Sequence, residues 1–175
     1  TVGEPYGTIQ GTDFVYAVED DRESDKVISN TSGRYLRTST SDNVIGNITP
    51  DWNMGLTNSF TFFKNYTLSF LLDWQKGGDV FSLDHWYGDA TGLYAFSAEN
   101  NDLGNPQRDL VADGGGIINE GVVAVLDANG DPTGAYTAND KRIEANWYGT
   151  YGYGVSPNAR YVYDASYLKL RELVL

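Results

Sequence analysis

The stretch that decides the fold is residues 54–75, MGLTNSFTFFKNYTLSFLLDWQ. On either side of the polar pair Lys64-Asn65, apolar and polar residues alternate with a period of two, which is typical of β-strands. With its flanks, each arm forms a strand of roughly nine residues or more. The apolar positions of the second arm begin with Tyr66 and end with Trp74. The sequence therefore predicts a β-hairpin with one apolar face.

Aromatic residues at both ends of an apolar strand are typical of barrel strands that cross a bilayer. No charged residue interrupts residues 54–63 or 66–72. The same pattern also suits the inner face of a soluble β-sandwich, so both alternatives stay open at this point. In the membrane alternative, the side chains expected to face lipid are Leu56, Phe60, Phe62, Tyr66, Leu68, Phe70, Leu72 and Trp74.

The composition of the 175-residue chain argues against most catalytic chemistry. It contains no cysteine and a single histidine, His85, so thiol catalysis, cysteine-ligated metals and histidine-based triads have almost no candidates. Its formal net charge of −12 is the wrong sign for nucleic acid. Residues 127–131 resemble the start of a calcium loop, but Pro132 and Ala138 replace the glycine and glutamate that such a loop requires. We therefore predict no enzyme, no catalytic residue, no cofactor, no metal site and no nucleic-acid partner.

The remaining segments predict shorter strands and long polar connections. Residues 6–18 and 161–175 are strand-like, whereas 19–43 is polar and indicates a loop or an exposed hairpin. In the last segment Leu168, Leu170 and Val174 share a face that also carries Glu172, which leaves the lumenal face ambiguous.

The long region 76–160 carries five basic and twelve acidic residues. A loop of this length needs structure of its own. Residues 121–136 predict an exposed hairpin around an Asn-Gly turn, and the triplet Gly114–Gly116 predicts a flexible loop.

Four strings occur in one order along the chain: VGEPYG at 2–7, IGNITPDW at 45–52, LSFLLDWQKGGDV at 68–80 and VYDASYLKLRE at 162–172. Together they resemble the SusC/RagA-like TonB-linked outer membrane proteins of the Bacteroidota. The resemblance implies an all-β fold, in which residues 1–175 are antiparallel strands from the C-terminal half of a large plugged transmembrane barrel. It also implies that the signal peptide and the plug with its TonB-contacting box lie outside these residues.

In that family, 54–75 is expected to be a transmembrane hairpin, 76–160 a long extracellular loop region and 161–175 a barrel strand. The resemblance implies a TonB-dependent active transporter of the bacterial outer membrane that imports oligosaccharides or peptides with a SusD-like surface lipoprotein. TonB would act through the plug. Loop aromatics that could contact the ligand or the lipoprotein are Trp86, Tyr87, Tyr94, Trp147 and Tyr148. Packing within the loop is the alternative role for each of them.

Two other functions remain open from the sequence. The aromatic content and the acidic loops suit a soluble β-sandwich that binds glycans, and the same features suit a structural surface or adhesin domain. An exposed face of Leu, Phe, Tyr and Trp argues against both soluble alternatives unless a second sheet covers it.

Overall fold

The computed structural model describes residues 3–18, 21–145 and 154–175. In this part of the chain the regular structure is mainly β and most strand pairs are antiparallel. The strands are β1 (Thr8–Gly11), β2 (Val27–Ile28), β3 (Asn43–Asn47), β4 (Pro50–Phe62), β5 (Tyr66–Gly77), β6 (Asp79–Phe81), β7 (Ile117–Ile118), β8 (Val122–Leu126), β9 (Pro132–Ala138), β10 (Arg142–Ile143), β11 (Val162–Asp164) and β12 (Tyr167–Val174).

Helices also occur, so the expected all-β class holds only in the coarser sense of a mainly β chain. The helix α1 spans Leu83–Thr91, and short 3₁₀ helices span Ala95–Ala98, Val111–Asp113 and Asn158–Tyr161. No helix of the described residues is long and apolar enough to cross a membrane.

The chain forms two compact units, each assembled from segments that are distant in sequence. The first contains residues 1–10, 44–81 and 162–175, and the second contains residues 11–43 and 82–161.

A three-stranded antiparallel sheet of order β12-β5-β4 dominates the first unit. The hairpin β4–β5 is the one predicted from the alternation, with Met54 opposite Trp74 and Phe62 opposite Tyr66. Its turn also includes Phe63, which lies at a positive φ of 49°. The same unit contains the pairs β1–β3 and β6–β11.

A β-bulge in β12 decides which side chains of the last strand share a face. Leu170 lies opposite Leu72, but Glu172 lies opposite Leu71, so Arg171 is the additional residue. The inserted residue moves Leu173 onto the face of Leu170. The prediction that Val174 shares a face with Leu168 and Leu170 is wrong, because a shift of one residue exchanges the two faces of a strand. For the same reason Glu172 lies on the opposite face.

The second unit contains a small sheet of order β2-β8-β9, in which β2 runs parallel to β8. Here the prediction of a loop or exposed hairpin for 19–43 is wrong at β2, since Val27 and Ile28 are buried. The predicted exposed hairpin is confirmed as β8–β9. Asp127 stabilises its turn, because its Oδ1 accepts hydrogen bonds from the amides of Asn129 at 2.8 Å and Asp131 at 3.0 Å.

The helix α1 begins and ends at ordinary capping residues. The side chain of Ser82 accepts a hydrogen bond from the amide of His85 at 3.2 Å. At the other end Gly92 adopts the left-handed conformation with φ 67°, and Leu93 donates to the carbonyl of Gly88 at 2.9 Å. This helix lies inside the region that the sequence predicts as extracellular.

Gly115 and Gly116 are buried in the second unit. A Cβ on Gly115 would lie 2.0 Å from the carbonyl oxygen of Asp109, so this glycine allows two backbone segments to approach closely. Packing against a neighbouring backbone thus replaces the flexible loop predicted for the triplet.

Candidate functional site

The sheet β12-β5-β4 has one face that is almost entirely apolar. Its register places the eight residues predicted to face lipid on this face, because directly paired residues of antiparallel strands point to the same side. We call this surface the apolar face. It contains Trp52, Met54, Leu56, Asn58, Phe60, Phe62, Tyr66, Leu68, Phe70, Leu72, Trp74, Leu168, Leu170 and Leu173, with Lys76 opposite Trp52 at its end.

The apolar face is exposed in the structure. Leu56 is 48% exposed, Phe60 50% and Leu168 62%. Surface patches of this kind mark contacts with proteins, ligands or membranes. The face is therefore the first candidate for a functional surface.

Aromatic pairs lie at both ends of the apolar face. Trp52 and Trp74 pack edge to face with ring centroids 5.1 Å apart. At the turn end, Phe62 and Tyr66 stack with centroids 6.1 Å apart. Tryptophan and tyrosine side chains are favoured at the boundary between water and hydrocarbon because one part of the ring system is polar and the rest apolar.

The opposite face of the same sheet carries mainly polar and charged side chains, with Leu71 and Val174 as apolar exceptions. Asp73 Oδ2 accepts hydrogen bonds from Arg171 Nε at 2.8 Å and from the Tyr167 hydroxyl at 3.1 Å. The Lys169 ammonium lies 3.9 Å from the centre of the Tyr167 ring. The bulge residue Arg171 thus joins β12 to β5 on the mainly polar side of the sheet.

In the second unit, the structure places three of the predicted loop aromatics on or near α1. Trp86 and Tyr87 pack with ring centroids 5.2 Å apart. Tyr94 packs edge to face on His85 at 4.9 Å, and its hydroxyl donates to Asp84 at 2.9 Å. These contacts support packing within the loop. The other two candidates, Trp147 and Tyr148, lie outside the described residues.

Asp89 is a buried acid at the end of α1, only 7% exposed. Arg160 lies near it, with Nε 3.9 Å from Oδ2. Burial raises the pKa of the Asp89 carboxyl above its ordinary value of 3.8, against the opposing effect of the Arg160 charge.

Because the folded carboxyl of Asp89 holds its proton more tightly than the unfolded one, the second unit loses stability as the pH rises from 3.8 through the raised pKa. We expect Asp89→Asn to remove this loss, so that thermal midpoints measured over that window depend less on pH than in the wild type. Asp109→Asn, an exposed acid of the same unit, should keep the wild-type dependence. Parallel curves for all three proteins would contradict the assignment.

A groove of about 430 Å³ lies in the second unit, and Phe96 in its lining stacks on the predicted loop aromatic Tyr94. No sequence pattern predicts this groove, because its residues come from a 3₁₀ helix, an irregular segment and β7 and follow no regular spacing in the sequence. Its lining includes Phe96, Glu99, Asn100, Asp102, Ile117 and Ile118.

Comparison with known proteins leaves the family open. No family model matches the chain. No curated protein matches it significantly either. Among the described residues, no group of three or more acidic or histidine side chains is placed to hold a metal ion. The apolar face of the sheet and the groove are the two features of the molecule that point to a function.

Proposed function

We propose that this chain is a barrel segment of a SusC-like, TonB-dependent transporter of the bacterial outer membrane. The observation that carries the proposal is the apolar face, which is exposed and has an aromatic pair at each end. In a barrel of this class the outer surface is an apolar band between two aromatic girdles, and the inner surface is polar. The two faces of the sheet correspond to these two surfaces.

The lengths of the strands suit this role. β4 has 13 residues and β5 has 12. A tilted transmembrane strand needs about 9–11 residues, so both strands can span the hydrocarbon and extend into the interfaces. Trp52 and Trp74 then lie at one interface, and Phe62 and Tyr66 at the other.

The connections suggest an orientation. The turn after β4 has only three residues, 63–65, whereas β5 leads through β6 to the long region that follows. Outer-membrane barrels have short periplasmic turns and long extracellular loops. The turn end is therefore periplasmic, and the region 76–160 is extracellular, where it meets an oligosaccharide or peptide and a SusD-like lipoprotein. TonB engages the plug, which lies outside this chain.

Quenching of tryptophan fluorescence by brominated lipid tests this proposal. In vesicles that contain the intact protein, lipids brominated close to the headgroup should quench Trp52 and Trp74. Replacement of both by phenylalanine should remove that part of the quenching, whereas Trp86→Phe in the second unit should retain it. Equal quenching in all variants, or a gene product found only in the soluble fraction, would contradict the proposal and favour the soluble glycan-binding module.

A further inference from the structure

The groove of the second unit combines apolar side chains with a free negative charge. Phe96, Ile117 and Ile118 supply the apolar surface, and the rest of the lining is polar: Glu99, Asn100, Asn101, Asp102 and Gln107. Glu99 is exposed beside them, and no hydrogen bond or ion pair holds its carboxylate within the described residues. The volume of about 430 Å³ falls in the range of ligand pockets, about 300–1,000 Å³.

The other acid of the groove is already neutralised. Arg142 Nη2 donates to both carboxylate oxygens of Asp102, at 2.6 and 2.7 Å. This pairing lowers the pKa of Asp102, since the guanidinium favours the charged form. Glu99 is therefore the acid of the groove that is available to attract a cation.

The apolar part of the lining favours side chains over sugar rings. A sugar stacks on an open aromatic face, but Tyr94 already stacks on Phe96 with centroids 6.4 Å apart and planes inclined by 15°. The branched aliphatic side chains of Ile117 and Ile118 offer no flat platform. Such a surface instead suits an aliphatic side chain of a ligand.

We propose that this groove binds a peptide segment in which a basic side chain follows an apolar one, with Glu99 pairing the cation and Ile118 contacting the apolar group. Of the two ligand classes in the proposed function, this assignment selects peptides, and among them cationic ones. It rests on the proposed function only in taking this binding as a step of uptake. The binding itself depends only on the second unit.

Calorimetric titration of the full chain in detergent with N-acetylated, C-amidated Leu-Lys-Leu tests the proposal, with Leu-Gln-Leu as the neutral counterpart. We expect the lysine peptide to bind more tightly by up to about fivefold, the upper end for an exposed ion pair. Glu99→Gln should abolish this preference. Glu120→Gln removes the same charge from an exposed position outside the groove and should leave it unchanged. Ile118→Ser should weaken both peptides alike.

Two results would overturn this assignment: equal affinity of the two peptides for the wild type, or a preference that persists in Glu99→Gln. Competition by maltotriose, with no peptide preference, would assign the groove to saccharides instead. Glu99→Lys provides a gain-of-function check, since it should favour Leu-Glu-Leu. If the peptides do not bind as expected, lipid quenching of Trp52 and Trp74 should still be observed for a membrane barrel segment. The two proposals can therefore fail separately.

Discussion

Phe70→Arg should block assembly of the intact protein in the outer membrane. Phe70 lies on the apolar face midway between Tyr66 and Trp74, opposite Asn58 on β4 and Leu173 on β12. An arginine on the lipid face near the bilayer midplane costs about 2–4 kcal/mol, which is a large share of the stability of a typical protein. The measurement is the amount of folded, protease-resistant protein in the outer-membrane fraction.

The neighbouring residue supplies a matched control. Ser69 lies on the polar face, opposite Ser59 and Val174, so Ser69→Arg introduces the same side chain toward the proposed lumen. This variant should assemble at close to the wild-type level. Equal assembly of the two variants would contradict the membrane assignment. Recovery of both variants as folded protein in the soluble fraction would also rule it out.

Ile28→Ala should destabilise the second unit by about 2–5 kcal/mol, the usual range for truncation of a large aliphatic side chain in a core. Ile28 is 1% exposed and pairs with Val123 of β8. Its truncation therefore leaves a cavity beside the small sheet. The free energy of unfolding can be measured in urea from the near-ultraviolet circular dichroism of the chain in detergent.

Ile118→Ala is the control for this change. It removes the same atoms from a side chain that is 38% exposed, so its cost should be clearly smaller. Equal effects of the two substitutions would show that Ile28 is not part of a packed core, and would support the loop that the polar sequence predicts.

The sequence predicted well those elements whose signal is local and periodic. The hairpin β4–β5 follows from uninterrupted alternation, and β8–β9 from two β-rich runs around the turn at Asn129-Gly130. In both cases the partner strand is the next one in the chain. Register can then be read from the turn and from the apolar positions.

The elements that were missed depend on distant contacts or on single residues. The bulge at Arg171 leaves no trace in composition, although it decides the face of Leu173. β2 has only two residues, and its pairing with β8 joins positions 95 apart, from Val27 to Val122. The groove was missed for the same reason, since Glu99 and Ile118 belong to different elements.

The division of the two units among alternating segments has a consequence for biosynthesis. The strands β4 and β5 can associate as soon as both have left the ribosome, whereas β2 must wait for β8. β12, which adds Leu168, Leu170 and Leu173 to the apolar face, is made after residues 82–161. Pairings between distant positions form slowly because a long loop must close first. The nascent chain therefore exposes the hairpin's apolar side chains while residues 82–161 are made, an interval in which binding of a holdase chaperone would keep them from aggregating.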